Sequence, residues 1–329
     1  MCMKKRFWAF AIVLVLVVVI GLTGCGKKAE APTQAAAPAP TTTTVAPAVQ
    51  PAVTQPAAPA IDKDAVLVTA AKDFFAQIAQ SNNMISAKDL KTMLDDNPQA
   101  VFIVDIRSGA DFEAGHIEGA FHSDWAKLGD VMEKIPQNRQ VVVACYSGQT
   151  AGQAVATLRF AGFTNVKSLQ GGMNNGWKAA ELPVTGTGAN ELSARANVSS
   201  PKDAEQEVLW EAAKANFVKV GTDGNKIIKG QDVSDQLDVN PKAFKVFDIR
   251  SQEAFDAGHI AGAVFVPWAQ FGGQLDSLSK SDKIVIACFS GQTSGQTVGI
   301  LRTLGYDAYS LSSGMTAGWI NANLPVVTK

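Results

Sequence analysis

The chain repeats itself at a spacing of 143 residues. Asn97-Pro98, Asp105-Ile106-Arg107-Ser108, Gly115-His116-Ile117, Gly119-Ala120 and Cys145 return as Asn240-Pro241, Asp248-Ile249-Arg250-Ser251, Gly258-His259-Ile260, Gly262-Ala263 and Cys288. Past the cysteines the spacing drops to 142, pairing Gly172-Met173 with Gly314-Met315 and Trp177 with Trp319. A period this long describes a duplicated domain, since solenoid units repeat every 20–50 residues or so. In a chain of 329 residues, 47% of them apolar, each copy has enough material to bury its own core.

Within each copy the elements alternate. Ala100–Ile106, Gln140–Ala144, Phe244–Ile249 and Lys283–Ala287 are short apolar runs rich in β-branched residues, and they predict buried strands. Helical patterns fall between them at Ala87–Leu94, Ala151–Ala161 and Ser294–Leu304. Such alternation predicts an α/β fold with a mostly parallel sheet flanked by helices, in which ligands bind beyond the carboxyl ends of the strands. Asp105, Arg107 and Cys145 fall at those ends, as do Asp248, Arg250 and Cys288.

Each cysteine opens a loop between a strand and a helix. Cys145 leads Tyr146-Ser147-Gly148-Gln149-Thr150, and Cys288 leads Phe289-Ser290-Gly291-Gln292-Thr293. Successive N–H groups of a tight turn, with the positive end of the following helix, form a cradle for an anion. Gly148 and Gly291 give the turn its conformational freedom. Thr150 and Thr293 are expected to cap the helix and point a hydroxyl at the sulfur. A thiol there is expected to ionise readily, and the same donors suit a persulfide.

The pattern Phe112-x-x-x-His116-Ile117-x-Gly119-Ala120, repeated as Phe255-x-x-x-His259-Ile260-x-Gly262-Ala263, resembles the N-terminal signature of the rhodanese family. The Asp-x-Arg upstream, the cysteine loop and a closing Gly-Met-x-x-Gly-Trp strengthen the resemblance, which covers nearly all of 85–185 and 226–329. It implies two tandem rhodanese-like domains that transfer sulfane sulfur from a small donor to a thiol acceptor through cysteine persulfides, with Cys145 and Cys288 as the sulfur-bearing residues. No cofactor is implied. Glu118 and Ala261 replace the usual proline, and neither loop carries the basic residue common in thiosulfate-using members, so the donor stays open. The second copy keeps the pattern at Ala263–Pro267 where the first has Phe121-His122-Ser123-Asp124, so Cys288 is expected to load more readily.

Other residues invite plainer readings. Arg107 and Arg250 either brace the loop by pairing with Asp105 and Asp248 or help to hold an oxyanion. His116 and His259 are expected to be structural, His122 to lie on the surface, and Trp177 and Trp319 to fill the core. No Cys/His cluster has metal-ligand spacing, and no basic face suits nucleic acid. A phosphatase-type loop would end in arginine six positions after the cysteine, where Ala151 and Ser294 stand. A disulfide between equivalent points of two repeats is not expected. Two other functions fit the thiols: reduction of selenium or tellurium oxyanions with envelope redox partners, and a non-enzymatic binding or sensor module.

The N-terminus reads as an export signal. Lys4, Lys5 and Arg6 precede an apolar run from Phe7 to Ile20, too short for the roughly 20 residues of a spanning helix. Leu22-Thr23-Gly24-Cys25 resembles a bacterial lipobox, which implies cleavage after residue 24 and lipid on Cys25. Gly26 in place of aspartate points to outer-membrane sorting, with the globular part in the periplasm. Residues 25–62 are expected to form a disordered Ala/Pro/Thr tether. Residues 63–185 and 203–329 are assigned to the two domains, with 186–202 as the linker.

Overall fold

Three consecutive valines, Val141-Val142-Val143, show how the first sheet is built. Val141 and Val143 pack into one core cluster and Val142 into another, because successive side chains of a strand point to opposite faces. A sheet covered on both faces needs just such a continuous apolar run. The computed structural model describes residues 61–186 and 190–329. The expected signal segment, Cys25 and all of the tether up to residue 60 lie outside the described residues.

In chain order the first half contains α1 (Lys63–Gln77), β1 (Met84–Ile85), α2 (Ala87–Asp96), β2 (Val101–Asp105), α3 (Gly109–Ala114), β3 (Phe121–His122), β4 (Gln140–Ala144), α4 (Gln149–Phe160), β5 (Val166–Leu169) and β6 (Asn190–Glu191). The second contains α5 (Ala204–Asp223), β7 (Ile227–Ile228), α6 (Gly230–Val239), β8 (Lys245–Asp248), α7 (Gln252–Ala257), β9 (Val264–Phe265), β10 (Lys283–Ala287), α8 (Gln292–Thr303) and β11 (Asp307–Leu311). The strands run β1-β5-β4-β2-β3-β6 in one sheet and β7-β11-β10-β8-β9 in the other, and every pairing is parallel. The predicted α/β architecture is therefore present twice, and the predicted strands Gln140–Ala144 and Lys283–Ala287 appear with their predicted ends.

Two features depart from the sequence reading. The segment 186–202 is more than a linker: Asn190 and Glu191 pair with Phe121 and His122 as a sixth strand, and Leu192 is fully buried in the first core. The helix that opens each half also covers the other half's sheet. Phe74 and Phe75 of α1 join the core of the second half, with Phe75 and Phe271 ring centroids 5.2 Å apart. Trp210 and Phe217 of α5 join the core of the first. Gly129 and Gly272, 143 residues apart, receive these helices: a Cβ on either would come within 3.2 Å of the α5 or α1 backbone, at Lys214 and Lys72. Each fully buried phenylalanine contributes about 2–3 kcal/mol, so the exchanged helices belong to the cores they cover. By packing, residues 63–77 belong with the second half.

The two halves meet where α4 crosses α8. A Cβ on Gly152 would lie 2.6 Å from the Gln292 carbonyl oxygen, and one on Gly299 would lie 2.6 Å from that of Gln153. Only glycine permits backbones this close. Buried glutamines knit the seam symmetrically: Gln153 Nε2 donates to Asn225 O (2.7 Å) and Gln296 Nε2 to Asn82 O (2.8 Å), both pairs related by 143. Among the described residues no helix is long and apolar enough to cross a membrane, and no His/Cys/Asp/Glu group could hold a metal ion.

Candidate active site

Each cysteine stands where a central strand ends. After Cys145 the chain turns through Gly148, at φ +89°, into α4; after Cys288 it turns through Gly291, at φ +96°, into α8. These left-handed turns favour glycine. Cys145 and Cys288 are free and buried, each 1% exposed, while Tyr146 (40%) and Phe289 (51%) stand in solvent beside them.

The turn aims donors at sulfur. Cys145 Sγ accepts from the N–H groups of Gly148 (3.1 Å) and Ala151 (3.2 Å). Cys288 Sγ accepts from Gly291 N–H (3.1 Å) and lies 3.3 Å from the Ser294 hydroxyl. Thr150 and Thr293 do not point at sulfur as expected, and neither caps its helix. The turn glycine is the N-cap, which places the threonine at the second helical position and the sulfur's partner one residue later.

A second turn closes over the first. Met173 N–H donates to Cys145 O and Met315 N–H to Cys288 O, both at 2.7 Å. Gly172 and Gly314, both at φ +61°, pack so closely that a Cβ on either would lie 2.6 Å from the cysteine's carbonyl oxygen. This accounts for the repeated Gly-Met. The Trp177 and Trp319 that follow are core residues, 1% exposed, with Nε1 donating to Pro183 O and Pro325 O.

The Asp-x-Arg residues brace the site. Arg107 forks onto Asp105 through Nε (3.0 Å) and Nη2 (2.7 Å) and donates from Nη2 to Gly115 O (2.7 Å). Arg250 makes the same bonds to Asp248 and Gly258 O. Bidentate pairs of this kind fix geometry as well as charge. Arg250 also lies 5.8 Å from the ring centroid of Phe289, next to the cysteine. His116 and His259 are structural: each stacks on the phenylalanine four residues earlier, and each Nδ1 donates to that residue's carbonyl (2.7 and 2.8 Å).

Two assignments need correction. Gln149 and Gln292 were expected in the persulfide cradle, but their side chains cross the seam. Gln149 Nε2 donates to Leu311 O (2.9 Å) and Ser310 Oγ (2.5 Å); Gln292 Nε2 donates to Leu169 O (3.1 Å) and Ser168 Oγ (2.8 Å). A buried amide needs several partners, and the neighbouring half supplies them. His122 is buried, not on the surface. It lies 2.9 Å from Arg107 O and 3.6 Å from Glu191, because the sixth strand folds over it. One group at the first mouth is electrostatically perturbed: hydrogen bonds from Ser108, and next from the Tyr146 hydroxyl, hold the Asp111 carboxyl below its ordinary range.

Fold and loop together define an α/β protein that presents a free cysteine, in a donor-lined turn, at the end of a central strand in each of two tandem units. A rhodanese-like domain model matches residues 86–180 and 231–321, more than half of the chain, and the chain belongs to that family. It is 40% identical over 74 residues to thiosulfate sulfurtransferase GlpE of Pseudomonas fluorescens, covering 22% of this chain and 68% of that protein. Among solved structures it is similar to the 3-mercaptopyruvate sulfotransferase SseA of Escherichia coli (22% identity, 69% of this chain, 97% of that one, TM-score 0.34). It is also similar to a thiosulfate sulfurtransferase of Pseudomonas aeruginosa (18% identity, 77% of this chain, TM-score 0.33), of which it spans about half the length, 47%.

Proposed function

We propose that the chain is an envelope-anchored sulfur carrier that holds sulfane sulfur as a persulfide on Cys145 and Cys288. Family membership supports sulfur transfer in general. The observation that carries the finer reading is the pair of free cysteines, each with a backbone N–H 3.1 Å from sulfur in a solvent-fronted turn. In the loading step the cysteine thiolate attacks the terminal sulfur of a donor R–S–S⁻. A Cys–S–S⁻ bond forms and R–S⁻ leaves with the bonding pair. In discharge an acceptor thiolate attacks the outer sulfur and the cysteine leaves as thiolate. Charge balances in both steps and no external oxidant is required. The donors then face a sulfur that begins and ends the cycle as an anion.

Polysulfide treatment followed by mass spectrometry tests this. Peptides holding Cys145 and Cys288 should each gain about 32 Da, one sulfur atom. Cys145→Ser and Cys288→Ser should each leave one loaded site, with Cys288 filling faster than Cys145. Thiols that alkylate freely and never gain sulfur would rule the carrier reading out. The anchoring rests on the Leu22–Cys25 motif. A Cys25→Ala protein should leave the membrane fraction or stay unprocessed, and unchanged processing and retention would remove the lipid anchor from the proposal.

A further inference from the structure

We infer that Cys288, unlike Cys145, works with a switchable hydroxyl, Ser294, whose orientation is set from the other half of the molecule by Gln149. This inference rests on the sulfur-carrier reading for the discharge step, but not for the chemistry of the thiol itself.

Backbone groups of the second half fix the Gln149 amide. Its Nε2 donates to Leu311 O, which can only accept, and its Oε1 accepts from Ser313 N–H at 3.3 Å. The remaining Nε2 hydrogen faces Ser310 Oγ at 2.5 Å. Ser310 must therefore turn its own hydrogen elsewhere. Ser294 Oγ at 2.8 Å is nearer than Gly291 O at 3.3 Å. Ser294 Oγ then keeps its hydrogen for one of two acceptors, Gly291 O at 2.9 Å or Cys288 Sγ at 3.3 Å. While the sulfur is a thiol, S–H donates to Ser294 and the hydroxyl points at Gly291. Once the sulfur is an anion, the hydroxyl turns and donates to it. All four side chains are at least nine-tenths buried, so water does not compete freely.

The first half has the same chain with its last link missing. Gln292 is oriented in the same way by Leu169 O and Gly171 N–H (both 3.1 Å), and it donates to Ser168 Oγ. The residue in Ser294's place is Ala151, and the Ser168 hydroxyl ends on Asn83 O at 3.4 Å. Cys145 is left with two backbone N–H groups, which can donate and cannot accept. Nearby charges do not make this difference, because Asp248, Arg250 and His259 have counterparts in Asp105, Arg107 and His116 with matching partners. The first half adds Asp111 and His122.

On this basis Ser294 is a catalytic residue, because it touches the reacting sulfur, and Gln149 and Ser310 are positioning residues. A donor at Sγ favours the attacking thiolate and also the thiolate released on discharge.

The test uses two full-length single-cysteine proteins, Cys145→Ser and Cys288→Ser, each the parent for its own variants so that surrounding charges stay constant. The readouts are the iodoacetamide rate at one neutral pH, the ultraviolet thiolate absorbance, and the rate of persulfide discharge to a small thiol. In the protein retaining Cys288, Ser294→Ala should lower all three by about three- to tenfold, the range for losing one hydrogen bond to a charged group. Ser310→Ala, which leaves the seam's backbone contacts in place, and Gln149→Ala should lower them by a smaller factor. In the protein retaining Cys145, Gln292→Ala should leave the iodoacetamide rate and thiolate absorbance unchanged. A Ser294→Ala protein that matches its parent overturns the inference. So does a Gln292→Ala loss at Cys145 equal to the Gln149→Ala loss at Cys288, since both clamps would then act by loosening the seam. A Ser294-dependent alkylation rate in a protein that never gains sulfur keeps the inference and rejects the carrier reading.

Discussion

The two cysteine loops share a frame and differ in their walls. In both halves the Asp-Arg fork, the His-on-Phe stack, the left-handed turn glycine and the overlying Gly-Met recur with hydrogen-bond distances that agree to about 0.1 Å. Around that frame, Tyr146 is tied by its hydroxyl to Asp111 (2.5 Å), whereas Phe289 stands beside Arg250. The sulfur of the first half meets Ala151 N–H, and that of the second meets the Ser294 hydroxyl. The comparison separates what a cysteine turn needs in order to exist from what adjusts its sulfur. Residues that hold the turn recur in both copies, and residues that touch the sulfur or front the solvent have diverged.

The largest effect is expected from breaking the shared frame in one half at a time. Asp105→Asn or Asp248→Asn leaves a buried guanidinium without its partner, at a cost of about 3–5 kcal/mol. Each should expose its own cysteine to alkylating reagent before the other. Urea melts followed by peptide-resolved alkylation would show this, and simultaneous exposure of both cysteines would mean that the halves do not open separately.

The seam comes next. Gly152→Ala and Gly299→Ala put a methyl against a carbonyl oxygen across the α4–α8 crossing and should destabilise by about 2–3 kcal/mol, the range for overpacking. Gly273→Ala, whose Cβ would meet nothing within 4 Å, should stay within about 0.5 kcal/mol. Equal melting of all three proteins would remove the close crossing from this account.

A smaller and opposite effect sharpens the contrast. Ala151→Ser completes the broken hydroxyl chain and should raise Cys145 alkylation at neutral pH severalfold, to about the level of one added donor. An unchanged rate would mean that the first wall cannot host the hydroxyl.

The smallest effect belongs to the first mouth alone, since Ala254 stands where Asp111 does. The folded Asp111 carboxyl titrates below its unfolded value, so its contribution is present above the ordinary carboxylate range, near pH 4, and is lost as pH falls through the lowered value. In Tyr146→Phe, an NMR titration of Asp111 should move upward toward the ordinary value. An unmoved titration would leave Ser108 as its only significant partner.

Much of this was legible in one dimension. The β-branched runs ending in Asp105, Cys145, Asp248 and Cys288 specify strands and the ends that matter, because strand burial is written in residues two apart. The roles of His116, His259, Trp177 and Trp319 followed from their place in the repeat. His122 was misread because its cover, Asn190–Glu191, is supplied by a segment whose composition suggests a plain linker. Gln149 and Gln292 were misread because a glutamine beside a cysteine looks the same whether its amide turns toward the sulfur or away from it. Ser294 and Ala151 were noticed only as positions without an arginine. The signal that could have singled out Ser294 is that it breaks the repeat immediately after a loop that otherwise changes only Tyr146 to Phe289.

The sequence by itself determined the duplication, the parallel α/β units and the placing of a cysteine turn in each, since these follow from patterns within a few residues of one another. Only the tertiary structure decided which sheet each opening helix covers, where the buried glutamines find their partners, and which of the two sulfurs meets a hydroxyl. Those outcomes depend on how closely α4 and α8 approach. Gly152, Gly295 and Gly299 permit that approach, but its partners lie well over a hundred residues away along the chain.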